Sequence, residues 1–292
     1  MKTILLVDTC SDLPLNYVEE NSDVLDFIGM PVSINNEEYI DDFGKTFSHD
    51  KFYGLLREGY RASTAQINSY RFLEKFREHC TAGKAVIYIG FSSTLSGTLN
   101  SAMNAKDMLL EEMPNAKISV IDTLAASGGL GILAINMVEL LRDGMNFEEL
   151  TKWLEDNSMN TQHWFAVDDL DYLRKGGRVS ATKAIVGTLL NVKPILTVSK
   201  PGALEPYTNV RGRKKSIKFL AEKVIEHAVN PEETIVFIGH GSCPEDAEKL
   251  REEVTKIANV KRIVMSELSA TIASHVGPGM LGLTFVGKER EV

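Results

Sequence analysis

Cysteine is scarce in this chain, and its three cysteines, Cys10, Cys80 and Cys243, are scattered over 292 residues. An odd number at such spacing matches neither a disulfide framework nor a zinc-binding pattern, so we expect reduced thiols. The six histidines are not spaced as pairs of zinc ligands either. The sequence therefore predicts no metal site.

Positive charge and long apolar runs are lacking as well. The chain has 32 lysine and arginine residues against 40 aspartate and glutamate residues, which gives a net charge of -8. This balance argues against a general nucleic-acid-binding protein, which needs a broad basic face. The apolar run at 4–7 is too short for a signal-peptide core, and no run approaches the ~18 residues that span a bilayer. We therefore expect a cytoplasmic protein that does not span a membrane.

Strand-like and helix-like segments alternate along the chain. Strands are predicted at 3–7, 85–90, 117–121, 163–167, 193–198, 204–209, 234–239, 262–267 and 281–286, with an extended segment at 24–34. Helices are predicted after Pro14 and at 48–58, 69–80, 98–113, 127–142, 146–160, 169–175, 180–190, 213–229, 244–257 and 269–275. Ser48 and Ser69 are the predicted caps of the helices at 48–58 and 69–80. We expect an α/β protein with two domains, 1–160 and 161–292, each a mainly parallel sheet with flanking helices.

Four hydroxyl side chains fall within five residues, between a predicted buried strand and a predicted helix: Ser92, Ser93, Thr94 and Ser96. Strand ends of this kind bring hydroxyls and free helix amides to one place, which suits a small anionic group. The alternative is that Ser93 or Ser96 only caps the following helix. Four hydroxyls exceed what one cap requires, so the group favours a ligand.

Three further segments are candidates, and each has an ordinary explanation. Ser63 and Thr64 lie in a predicted loop between helices, which need be no more than a connection. His275 ends a short predicted helix just before a Gly-Pro-Gly turn, where its ring is either held in one direction or simply exposed. The basic segments 173–178 and 210–215 indicate docking of an acidic partner or phosphate, or a solvated surface.

Common nucleotide and hydrolase motifs are missing. The segment 129–134 fits G-x-G-x-x-A but lies inside an apolar helical pattern, and 277–282 fits G-x-G-x-x-G but precedes a strand. No Walker A pattern and no G-x-S-x-G elbow occur in the sequence. Nothing in it argues for ATP, NAD or a serine hydrolase.

In their order, these motifs resemble those of the DegV family, and specifically those of FakB-type fatty-acid-binding proteins, over essentially the whole chain. The matching segments are 7–12, 63–66, 92–98, 121–123, 173–180, 189–195, 210–211 and 275–279. The chain departs from the family at Ala65, where serine is usual, and at Ile67-Asn68, where Pro-Ser is usual.

The resemblance implies a protein that encloses one long-chain fatty acid between two domains, with the tail in an apolar tunnel. It implies that Thr64, Ser93 and His275 hold the carboxylate, with neighbours Ser63, Ser92 and Ser96. The protein would be a lipid-binding carrier without its own catalytic site or a cofactor. It would present the carboxylate to a separate fatty acid kinase, which makes acyl phosphate for phospholipid metabolism.

The resemblance also assigns Arg178 and Arg211 to docking of that kinase, and it leaves room for transient membrane contact. Apolar side chains that could line the tunnel are Phe91, Leu95, Ile132, Ile135, Ile185 and Leu189, although core packing explains them equally well. Two other functions stay open at this point. One is a hydrolase or an acyl or phosphoryl transferase with a hydroxyl nucleophile and His275 as base. The other is a regulatory protein that senses a bound lipid.

Overall fold

The computed structural model describes residues 1–168, 170–179 and 191–292. The predicted helix over 180–190, with the expected tunnel residues Ile185 and Leu189, lies outside the described residues. The helix predicted near 169–175 is confirmed over Asp171–Lys175.

Thirteen β-strands occur in the part of the chain that the structure describes. They are β1 (Lys2–Asp8), β2 (Leu25–Ile28), β3 (Pro31–Ile34), β4 (Glu37–Ile40), β5 (Ala62–Thr64), β6 (Lys84–Phe91), β7 (Ile118–Ala125), β8 (Thr161–Ala166), β9 (Val192–Val198), β10 (Leu204–Arg211), β11 (Ile235–His240), β12 (Arg262–Glu267) and β13 (Leu281–Val286).

Ten α-helices occur in the same described residues. They are α1 (Leu15–Glu20), α2 (His49–Arg57), α3 (Ser69–Thr81), α4 (Thr98–Glu112), α5 (Gly128–Arg142), α6 (Phe147–Ser158), α7 (Asp171–Lys175), α8 (Arg213–His227), α9 (Pro244–Ile257) and α10 (Ala270–Val276). The predictions for α9, β12 and β13 are confirmed to the residue.

Side-chain caps mark the starts of α2, α3, α6 and α10. Ser48 caps α2 by accepting the N–H of Lys51 at 3.3 Å, as predicted from the sequence. Asn146 and Glu149 form a reciprocal capping box at α6. The predicted cap Ser69 is wrong by one position, because Asn68 caps α3 through the N–H of Arg71.

The N-terminal half contains a four-stranded sheet in the order β2-β1-β6-β7, and every pairing in it is parallel. The segments 4–7 and 85–89 are apolar and buried throughout, as expected for parallel strands that are covered on both faces. The predicted parallel sheet is confirmed in this half.

The C-terminal half contains a six-stranded sheet in the order β10-β9-β8-β13-β11-β12. Only β11 and β12 pair in parallel, and the other four pairings are antiparallel. The prediction of a mainly parallel sheet is therefore wrong for this half. Strand β13 inserts between β8 and β11, and a short turn joins β9 to the antiparallel strand β10. The alternation of strands and helices along the chain therefore does not predict the strand directions in this sheet.

A third, small antiparallel sheet has the order β4-β3-β5. Its strand β5 is the segment predicted to be a loop, so that prediction is wrong. A three-residue polar strand shows no periodicity in sequence, and only its pairing with β3 defines it.

Helix α5 lies between the two large sheets and packs on both of them. It contacts β1 and β6 on one side and β8, β11 and β13 on the other. One hydrophobic core joins residues from both halves, including Leu6, Ile132 and Phe237. A second core lies between α8, α9 and the opposite face of the six-stranded sheet. All strands of the four-stranded and three-stranded sheets precede residue 160, while the domain boundary itself stays a prediction.

Candidate functional site

A cavity lies between the two halves of the protein, in the kind of place where small-molecule sites are commonly found. One side is a face of the six-stranded sheet that presents alternate residues of three neighbouring strands: His163, Phe165, Phe237, Gly239, Gly282 and Thr284. Residues of the N-terminal half close the other side: Cys10, Met30, Phe91, Leu95 and Ala126. The lining is predominantly apolar.

Two glycines lie on the sheet side of the cavity. Gly239 and Gly282 are directly opposite one another in the register of β11 and β13, and both line the cavity. A Cβ atom at Gly282 would lie 2.8 Å from the Cβ of Phe165, and one at Gly239 would lie 3.1 Å from Leu268. Side chains at these two positions would crowd these neighbours, so the two glycines allow close packing on this side of the cavity.

The polar end of the cavity is built by β5 and α10. Thr64 Oγ1 lies 2.8 Å from His275 Nε2, and both residues line the cavity. Helix α10 is held at its start by two fully buried carboxylates. Asp12 accepts the N–H of Ser269 at 2.8 Å, and Asp41 accepts both the N–H and the hydroxyl of Thr271.

The imidazole of His275 is neutral at neutral pH. Burial, and after it the nearby charge of Arg178, lowers the pKa of His275 to about 4. Its Nδ1 atom is buried and has no hydrogen-bond partner in the described residues. The ring therefore offers an unused polar atom beside the Thr64 contact.

Arg178 brings positive charge to the same end. Its Nε donates to the carbonyl oxygen of Leu95 at 3.2 Å, and its Nη1 donates to that of Gly176 at 2.6 Å. Arg178, Thr64 and His275 also line an outer depression, together with Arg61, Ser63 and Lys175. These three residues therefore lie where the apolar cavity meets the outside.

The four hydroxyls of the 92–96 loop go to different places. Ser96 lines the cavity, and its hydroxyl donates to Thr98 Oγ1 at 3.0 Å. Ser92 is buried and donates to the carbonyl oxygen of Gly202 at 2.8 Å, while Thr94 donates to that of Pro201. Ser93 is exposed, and its N–H donates to Asp122.

The structure thus brings Thr64, Ser96 and His275 together at the cavity, and it does not bring Ser92 or Ser93 there. Hydrogen bonds from the N–H groups of Leu95 and Ser96 to the carbonyl oxygen of Ser92 turn the chain at this loop. This turn directs the side chain of Ser92 to the segment 201–202 instead of the cavity.

The remaining expected site residues lie outside the inner cavity. Ser63 lines only the outer depression. Arg211 is exposed at the end of the edge strand β10 and lines neither space. Of the expected tunnel residues in the described chain, Phe91 and Leu95 line the cavity, whereas Ile132 and Ile135 are core residues of α5.

Sequence reasoning missed the two carboxylates that hold α10. Burial raises the pKa of Asp12 to about 7 and also raises the pKa of Asp41. Asp12 closes the motif 7–12, just after a buried strand, so its position was a signal that could have been used. Asp41 follows a short polar strand and carries no such signal.

The described residues contain neither a cluster suited to a metal ion nor a helix suited to a membrane. No group of three or more histidine, cysteine, aspartate or glutamate residues there is placed to hold a metal ion. Likewise, none of the described helices combines the length and the apolar character needed to cross a membrane.

Known proteins are similar to this chain in sequence and in fold. The family model described as "Uncharacterised protein, DegV family" matches residues 2–288. This chain belongs to the DegV family. A DegV domain-containing protein of Clostridium perfringens is 40% identical to it over 290 residues, which cover 99% of each chain. The predicted family membership is confirmed.

Solved DegV structures match the fold of this DegV protein over its whole length. A DegV lipid-binding protein from Thermotoga maritima has a TM-score of 0.85 at 30% identity and covers 100% of both chains. A fatty-acid-binding DegV family protein from Thermus thermophilus has a TM-score of 0.87 at 29% identity, covering 98% of this chain and 100% of its own. The predicted α/β fold class is confirmed.

Proposed function

We propose that this DegV protein binds one long-chain fatty acid, with its tail in the apolar cavity and its carboxylate at Thr64, Ser96, Arg178 and His275. The observation that carries the proposal is that a predominantly apolar cavity has a polar cluster at one end, and this cluster also borders the outer depression. Fatty acid binding by the Thermus thermophilus relative supports it.

The tail would supply most of the affinity. Removal of a C16 chain from water is worth roughly 12 kcal/mol at about 0.8 kcal/mol per methylene group. The costs of ordering the chain and of association offset much of this free energy. The polar cluster would then fix the orientation of the acid more than its affinity.

The polar cluster suits a carboxylate because it combines one cation with neutral hydrogen-bonding groups. Arg178 compensates the charge, and its guanidinium is already held by two carbonyl oxygens. Thr64 and Ser96 offer hydroxyl groups, and His275 offers a ring nitrogen. A carboxylate beside His275 would favour the imidazolium, so we expect binding to raise the pKa of His275.

We further propose that the bound carboxylate is presented to a separate fatty acid kinase, which converts it to an acyl phosphate. The outer depression supports this step, because it gives a partner access to the head group past Arg61 and Lys175. The exposed Arg211 is a second candidate contact for the partner. In this proposal the protein is a carrier and the phosphoryl transfer belongs to the kinase.

One observation favours a second candidate, a hydrolase or transferase. The 2.8 Å contact between Thr64 and His275 is the distance expected for a nucleophile and its base. Two features argue against it. His275 Nδ1 has no orienting partner in the described residues, and a pKa of about 4 makes the ring a weak base.

Mass spectrometry of the purified protein tests the binding proposal. We expect a native mass that exceeds the chain mass by one long-chain fatty acid, which solvent extraction then releases and identifies. A protein that is empty and also fails to take up added fatty acid would contradict the proposal.

The partner step needs a separate test. Purified fatty acid kinase with ATP should form acyl phosphate from the loaded protein and not from free fatty acid. Incubation of the loaded protein with activated acyl esters should show no turnover. Turnover that depends on Thr64 and His275 would favour the hydrolase instead.

A further inference from the structure

Two polar atoms in the cavity form no hydrogen bond of normal geometry with the described residues. They are His163 Nδ1 and Thr284 Oγ1, and their side chains are 2% and 9% exposed. The two residues are directly opposite one another in the register of β8 and β13, and both line the cavity. The cavity therefore contains a second polar place in addition to the Thr64–His275 cluster.

This second place lies away from the expected carboxylate. The head-group residue Arg178 follows the C-terminal end of β8, and His275 precedes the start of β13, where Ala166 and Leu281 pair. His163 and Thr284 lie three positions further along these strands. At about 3.3 Å per residue, His163 and Thr284 lie roughly 10 Å along the strands from the Ala166–Leu281 pair. A fatty acid with its carboxylate at His275 would pass His163 and Thr284 with its chain.

Hydrogen bonding defines what the pair offers. The N–H of Ala126 donates to His163 Nε2 at 3.2 Å, so we assign the ring proton to Nδ1. Burial, and after it the charge of Arg290, lowers the pKa of His163 well below its usual value, so the ring is neutral. His163 thus provides a donor, and the Thr284 hydroxyl can donate or accept. Such a pair matches an oxygen atom that carries lone pairs.

The start of α5 packs on the same two side chains. A Cβ atom at Gly128 would lie 2.9 Å from Thr284 Oγ1, and one at Gly129 would collide with the His163 ring. The positive end of a 15-residue helix therefore faces this part of the cavity. It favours the same kind of group, an electron-rich oxygen.

An unsubstituted acyl chain cannot satisfy these atoms. A buried polar group without a partner is less stable than a paired one, because it has lost its hydrogen bonds to water. Methylene groups packed against His163 and Thr284 would leave both atoms unpaired. A hydroxyl or keto oxygen at that point of the chain would pair with them.

We propose that His163 and Thr284 form a subsite for an oxygen atom on the acyl chain, so that this protein selects fatty acids oxygenated away from the carboxylate. The subsite rests on the proposed fatty acid binding. It adds a chemical class of ligand, hydroxy or keto fatty acids. It also names the residue pair that selects the position of the oxygen along the acyl chain.

The test measures dissociation constants of the delipidated full-length protein for stearic acid and for hydroxystearic acids with the hydroxyl at successive chain positions. We expect one position, or two adjacent ones, to bind about three- to tenfold more tightly than the other isomers, as one added hydrogen bond would give. In Thr284→Val this preference should disappear, and stearic acid should bind more tightly than to the parent. Thr197→Val, the same change at a buried position that does not line the cavity, should keep the preference.

The outcomes separate the subsite from the proposed function. Binding of stearic acid with a flat profile over all hydroxyl positions overturns the subsite and leaves fatty acid binding intact. A peak that persists in Thr284→Val also overturns it. If no acid binds, the proposed function fails, and the subsite fails with it. The dissociation constants of the parent protein over the hydroxyl positions test the proposal even if Thr284→Val does not fold.

Discussion

Thr64 Oγ1 and His275 Nε2 are 2.8 Å apart, although 211 positions separate the two residues in the chain. Thr64 belongs to the small antiparallel sheet, and His275 belongs to a helix that two buried carboxylates of the N-terminal half hold in place. The polar end of the cavity therefore exists only when both halves are folded together. Substitutions far from the cavity can alter it through Asp12 or Asp41.

Thr64→Val should weaken binding of long-chain fatty acid about three- to tenfold, because the variant loses one hydroxyl that faces the carboxylate. Binding of the corresponding neutral alcohol should change less. Ser93→Ala is the matched control, since Ser93 is exposed and does not line the cavity. Titration calorimetry on delipidated protein measures both ligands. An equal loss in Ser93→Ala would contradict the assignment of the head group to Thr64.

His275→Gln should change how stability depends on pH. The pKa of His275 is about 4 in the folded protein against a usual value of 6.5, so the unfolded chain binds this proton first as the pH falls. The parent should therefore lose stability between about pH 6.5 and about pH 4 through this group, and the variant should not. Urea unfolding across that window measures the difference, and a difference that does not vary with pH would refute it.

Asp12→Asn should show the opposite trend at a carboxyl group. The pKa of Asp12 is raised to about 7 from 3.8, so between these values the folded protein binds more protons than the unfolded chain. The stability contribution of Asp12 therefore falls as the pH rises through this range. Relative to the parent, the asparagine variant should gain stability from about pH 4 to about pH 7. Asparagine also tolerates the positive φ of 52° at this position.

Gly202→Ala should destabilise the protein more than the same change at another glycine of positive φ. An added Cβ at Gly202 would collide with the Ser92 hydroxyl, which already donates to the Gly202 carbonyl oxygen. At Gly144, whose φ is +101°, nothing lies within 4 Å of the added atom. We expect Gly202→Ala to lower the free energy of unfolding by about 1–3 kcal/mol more than Gly144→Ala. Equal losses of unfolding free energy in the two variants would show that the contact between Ser92 and Gly202 does not contribute to stability.

Gly239→Ala should shorten the fatty acids that the protein prefers. The new methyl group would lie beside the cavity opposite Gly282, 3.1 Å from Leu268, and we expect it to reduce the room for the chain. Gly54→Ala is the control, because nothing lies within 4 Å of its added Cβ and it is outside the cavity. Competition among saturated acids of increasing length measures the preference. An unchanged optimum would show that the chain does not pass this point.

Most of the fold could be predicted because its elements carry strong local patterns. Helix α9 begins with proline at its first position and keeps a helical apolar period, and its bounds were predicted to the residue. Strand β5 could not be predicted, because only its pairing with a distant strand makes it a strand. The direction of β13 could not be predicted either, because it depends on where the strand inserts in the sheet.

The sequence predicted several polar residues of the candidate site but not which of their side chains face the cavity. Thr64, Ser96 and His275 were recognised as polar residues of interest, and the structure brings them together. Ser93 could not be separated from Ser96 in sequence, because the turn at Ser92 alone decides which hydroxyl faces the cavity. The pair of His163 and Thr284 needed the strand register, which no local pattern contains.

Helix α5 has a consequence for how fast a ligand can leave. Ten of its residues are buried, and it packs against both large sheets at once. A hinge motion between the two halves would have to separate α5 from one of the two large sheets and expose its apolar side chains to water. Exchange of a bound lipid must then proceed through local opening at the cavity rim, so residence times should follow the local unfolding free energy of the rim segments.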